Sequence, residues 1–210
     1  MKTQTFLALT VAVGLACPPS TAAEADTTAF DVIGIRLGMT LAEVVSQAHA
    51  SGFDGVKQSP APSFEQAVAL ENREQVLAKD YAGVQLVKFG NDRESIEIFF
   101  VQMPSGSQVG RITYHFFGSD LSLDQMTTRV VHKYGEPEKK HHRYWLWGDT
   151  AEYAMQRQEP YLEFDRDPVV AFTPVQPLAS LTLADNTMQE QSKQAVAGAA
   201  AERRGGKTRF

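Results

Sequence analysis

An α+β fold, in two tandem halves of helices on antiparallel strands, is what this sequence predicts. Helix starts with polar caps alternate with runs of apolar residues, and the turns between the runs are too short for parallel crossovers. The order of capped helix, glycine stop and strands occurs across 30–118 and again across 119–184. The chain has a single cysteine, Cys17, so a mature chain processed beyond it is cysteine-free. Such a chain must rest on a hydrophobic core rather than on disulfides.

The first segment is an address rather than part of the fold. Lys2 is the only charge before Glu24, Phe6 to Ala16 is apolar or small apart from Thr10, and Pro18-Pro19 breaks the run. A membrane span needs about 20 apolar residues, whereas a secretory signal needs a shorter core followed by small residues. Residues 1–23 therefore read as a signal peptide cleaved after Ala23, with Ala25 as the other small-residue site. Gly14-Leu15-Ala16-Cys17 has the outline of a lipid-attachment box with Gly14 in place of its branched residue, so Cys17 is a candidate lipidation site. A soluble periplasmic or secreted product is the expectation, with no transmembrane segment after signal cleavage.

Thr40 and Glu43 form a capping box for a helix through Leu41, Val44, Val45 and Ala48, with Gly52 as its stop. Ser63 and Gln66 form a second box, opening a helix that runs to about Val76 after the loop holding Pro60 and Pro62. Val84–Phe89, Ile96–Val101 and Val109–Phe117 then read as strands of a meander. Ser122 with Gln125 repeats the box, and Gly135 and Pro137 end that helix. Strands are predicted at His141–Trp147, Ala151–Gln156, Pro160–Asp165 and Leu178–Leu183. Within 185–210, Thr187 and Glu190 open a last helix, and Arg203 to Arg209 form a basic mobile tail.

Composition narrows the function. A formal charge of −5, or −6 once Lys2 is removed, argues against a general nucleic-acid or anionic-membrane binder. Thiol nucleophiles and cysteine metal sites are excluded from the mature chain.

Gly38-Met39-Thr40-Leu41-Ala42-Glu43-Val44, a Gly-Met-Thr turn opening a helix after a short strand, resembles two exported groups. These are the β-lactamase inhibitory protein family and the small lipoprotein of the outer-membrane barrel-assembly machinery. The resemblance implies helix pairs packed on one face of antiparallel sheets, in tandem for the inhibitors. It carries over no functional residue.

Among candidate chemistry, His141-His142 with His132, Glu136 and Glu138 is the densest set of metal-ligand types. Adjacent histidines on a strand point to opposite faces, so a solvated helix end with a basic strand start accounts for them without metal. Glu163 and Asp165 share a strand face opposite Leu162 and Phe164, which reads as solvated rather than catalytic. No nucleophile elbow or phosphate loop is present. No cofactor is expected.

Arg143-Tyr144-Trp145-Leu146-Trp147 places large rings on both faces of one strand. Either Tyr144 with Leu146 or Trp145 with Trp147 faces the helices, and the other pair lies opposite, beside Tyr161. Trp, Tyr and Arg dominate binding hot spots, so Arg143, Trp145, Trp147 and Tyr161 are candidate protein-binding residues, against the alternative that they are core. The resulting expectation is a non-enzymatic, inhibitor-like module that binds another envelope or secreted protein. Its alternatives are an assembly scaffold tethered through Cys17, and a hydrolase or small-ligand binder with a dispersed site.

Overall fold

A computed structural model of the chain describes residues 29–53, 56–91, 93–118, 122–151, 156–157, 159–168 and 177–207. The predicted signal peptide and Cys17 lie outside the described residues, as do 152–155 of the predicted strand Ala151–Gln156.

Thr40, Ser63 and Ser122 each accept a hydrogen bond from the backbone N–H three residues on. Glu43, Gln66 and Gln125 accept in return from the cap's own N–H, completing three capping boxes. These open α1 (Leu41–Ala50), α2 (Phe64–Glu71) and α3 (Leu123–Tyr134). A cap of this kind satisfies donors that a helix leaves orphaned and contributes about 1 kcal/mol. Gly135, at φ 82, ends α3 in a conformation that a Cβ would disfavour.

The strands are β1 (Lys57–Ala61), β2 (Gly83–Gly90), β3 (Glu94–Met103), β4 (Gly106–Phe116), β5 (Lys139–Lys140), β6 (Tyr144–Gly148), β7 (Tyr161–Asp165) and β8 (Ala179–Ala184). They form one antiparallel sheet in the order β1-β2-β3-β4-β8-β7-β6-β5, so the strands of 30–118 sit at one end and those of 119–184 at the other. β4 and β8 meet in the middle, pairing Ile112 with Leu183 and Tyr114 with Leu181.

One sheet face is the core. Phe89, Ile96, Tyr114, Leu181, Phe164 and Trp145 form a cross-strand row. Val87, Ile98, Ile112, Leu183, Leu162 and Trp147 form the next. Val44 and Ala48 of α1 and Met126, Val130 and Tyr134 of α3 pack into the same cluster. Burying each large aliphatic chain contributes about 1.5–3 kcal/mol, which makes this cluster the main stabilising element. α4 (Asn186–Lys207) lies against β3, β4 and α2, and Ser192 Oγ donates to the Gln102 carbonyl at 2.6 Å.

Four details differ from the sequence expectation. β1 lies inside the predicted proline loop: its residues are nearly all exposed, so no apolar alternation marks it, and only its backbone ladder to β2 defines it. The strand predicted over His141–Trp147 begins at Tyr144, and His141 to Arg143 form the turn after β5. α2 stops at Glu71, short of Val76. Asp185 caps α4, its carboxylate accepting from the Thr187 N–H at 2.8 Å, and the helix runs through the predicted tail to Lys207, with Arg203 paired to Glu74 at 3.1 Å.

Ahead of α1, Val32 and Ile35 exchange both backbone hydrogen bonds around a two-residue turn. Ile33 and Gly34 sit at φ 51 and φ 82, the signature of a turn that favours Asn-Gly. For a β-branched residue the left-handed region costs about 1–2 kcal/mol. Ile33 nonetheless occupies it, with its side chain packed against the core.

Candidate functional site

The register puts Trp145 and Trp147 on the core face together and Tyr161 on the opposite face, so the four candidate binding residues do not share one surface. Trp147 is fully buried, with its ring 6.3 Å from that of Tyr134 and its indole N–H donating to the Gly135 carbonyl at 3.1 Å. Tyr161 is buried under the Arg157 guanidinium, 4.3 Å from its ring centre. Trp145 is only partly buried. It lies edge-on to Phe164 at 6.4 Å, with Lys140 Nζ 5.0 Å and the Arg166 guanidinium carbon 5.4 Å from its ring. Arg143 is exposed beside this cluster and donates to the Asp167 carbonyl at 2.7 Å. Two of the four, Arg143 and Trp145, therefore remain accessible on the same hairpin.

The sheet face away from α1 and α3 carries a polar stripe, beside the buried Leu146, Tyr161 and Ala184. Lys88, Glu97, Thr113, Thr182 and Glu163 form one cross-strand row, closed by the Lys88–Glu97 pair at 2.5 Å and the Arg157–Glu163 pair at 2.7 Å. The next row runs His115, Ser180, Asp165. His115 and Ser180 are buried, and His115 Nδ1 has no hydrogen-bond partner. Burial lowers the His115 pKa; Glu97 opposes this shift and Lys88 adds to it. A nucleophile–base–acid relay needs the histidine between the other two groups. Here Ser180 is central, and two strand spacings put His115 and Asp165 about 10 Å apart. Glu163 is instead held by Arg157.

His141 and His142 lie against each other in the turn, ring centres 4.0 Å apart and planes tilted by 49°, and His141 stacks on Tyr144 at 4.7 Å. The strand geometry expected to separate them does not apply, because neither residue is on a strand. Among the described residues no three His, Cys, Asp or Glu side chains converge as metal ligands, and no helix is long and apolar enough to cross a membrane.

Between α3, the Val32–Ile35 turn and the sheet lies an apolar groove of about 160 Å³, walled by Val32, Ile33, Tyr114, Phe116, Val130 and Leu181. Arg129 and Lys133, one helical turn apart, also line it. Lys133 Nζ reaches Asp31 Oδ1 at 2.8 Å, and the Tyr134 hydroxyl donates to the Asp31 carbonyl at 2.6 Å. Burial alone would raise the Asp31 pKa, but Lys133, the Gly34 N–H and Arg36 together hold it below the usual carboxylate range. These groove residues are scattered from 32 to 181, and no local spacing marks them as a set.

Comparison with family models, with curated proteins and with solved structures gave no match to this chain.

Proposed function

We propose that the chain is an exported, non-enzymatic module that binds another envelope or secreted protein through the accessible end of the β5–β6 hairpin. The observation that supports this reading is Trp145, held partly exposed between Lys140 and Arg166, with Arg143 exposed on the same hairpin and tied to Asp167. A large ring and flanking guanidinium groups make a surface that gains most when a partner removes it from water. The partner face that fits would set an apolar side chain on Trp145 and acidic groups on Arg143 and Arg166.

Capture from an envelope extract tests this. Protein captured by the wild type should fall at least tenfold with Arg143→Glu and with Trp145→Ala, while circular dichroism shows both variants folded. Undiminished capture by the folded variants would overturn the proposed surface.

Export is tested separately by mass spectrometry of the mature N-terminus. Glu24 or Asp26 as first residue is expected. An acylated Cys17, or an unprocessed Met1, would sink the soluble exported reading.

A further inference from the structure

We infer that the groove beside α3 binds a small carboxylate with an apolar tail about the size of one ring or six carbons, the tail seated against Ile33, Phe116 and Leu181 and the carboxylate held by Arg129.

Size comes first. The groove, at about 160 Å³, is close to the roughly 150 Å³ of an apolar cavity that admits benzene, and its floor offers a tail no hydrogen-bonding group to compete for. Charge comes second. Lys133 is committed to Asp31, whereas Arg129 makes no hydrogen bond or ion pair among the described residues. The carboxylate of Glu94 lies on the sheet side, where it accepts from the Tyr114 hydroxyl and from Asn91 Nδ2 at 3.5 Å. The free positive group is therefore on the helix rim, where the head of a bound amphiphile would emerge into water. A guanidinium there selects a planar carboxylate, which stays ionised at neutral pH.

The third observation is Ile33. A left-handed position that favours Asn or Gly carries instead a β-branched side chain, which forms one wall of the groove. Strain of this kind persists where the side chain it places has a use, and a wall for an apolar ligand is such a use.

The probes are hexanoate and hexan-1-ol, titrated into the full mature chain and followed by the methyl resonances of Leu181 and Val130. Both probes should shift these methyls saturably, with hexanoate about fivefold tighter. Arg129→Gln should abolish the preference for the acid and leave the alcohol unchanged. Ile33→Gly removes the wall and a core contact, the second offset by relief of the turn, so it should stay folded and bind both probes at least fivefold more weakly. If the glycine variant does not fold, Ile33→Ala carries the same expectation. The inference is overturned by the absence of saturable shifts, by an acid preference that survives Arg129→Gln, or by a folded Ile33 variant that binds both probes as the wild type does.

Discussion

Trp147→Ala is expected to lower folding stability by about 4 kcal/mol, read as a drop in urea midpoint at an unchanged slope. The indole has no exposed surface, is flanked across the sheet by Leu162, and lies against Tyr134 of α3. Truncation leaves a ring-sized void that the rigid sheet cannot close, and such voids add to the lost transfer energy. Trp147→Phe should recover more than half of the loss, since it refills most of the void and forfeits only the bond to Gly135. Trp145→Ala should cost only about 2 kcal/mol, because its ring already touches water and less area is removed from solvent. Equal losses for the two tryptophans would contradict their different placement.

Breaking the Arg157–Glu163 pair should cost unequal amounts from its two ends. The Arg157 side chain is 2% exposed and that of Glu163 27% exposed. Glu163→Ala leaves a guanidinium buried without its counter-charge, and a stranded buried charge costs about 3 kcal/mol or more. Arg157→Met leaves a carboxylate that water can reach and an apolar chain that can still cover Tyr161, so about 1–2 kcal/mol is expected. The Arg157 Nε bond to the Ala151 carbonyl at 3.1 Å is lost as well, which keeps the figure above zero. Chemical denaturation of both variants gives the order, and the reverse order would show that the arginine is solvated in the native state. Molar salt should change the wild-type contribution little, because screening acts on charges that ions can approach.

The repeat Tyr144-Trp145-Leu146-Trp147 states that the tryptophans share a face, because side chains alternate along a strand. It does not state which face the helices cover, as both alternating sets are apolar enough for a core. Pairing with β7 decides it, by aligning Trp147 with Leu162 and Trp145 with Phe164. Glu163 has the same history. Alternation along β7 puts it opposite Leu162 and Phe164, on a face expected to be solvated, but the buried Arg157 that covers it comes from a loop with no pattern to announce it.

Edge strands were the least legible part. β1 has no alternation because solvent surrounds it, and β5 is too short to carry a period. The groove walls and Arg129 were invisible for a different reason: each residue is unremarkable locally, and only the chain's return brings positions 32 and 181 together.

The local and periodic part of the molecule is legible in short stretches of the chain. Three capping boxes fall where hydroxyl and Glu or Gln stand three residues apart, most strands fall where apolar residues alternate, and the fold class follows from their order. These signals act over a few residues, through backbone donors and pleat geometry. Long-range packing sets β4 beside β8, makes the Trp147 face the core and opens a groove beside α3. Those choices minimise exposed apolar area over the whole chain at once, and no short window of residues contains that sum.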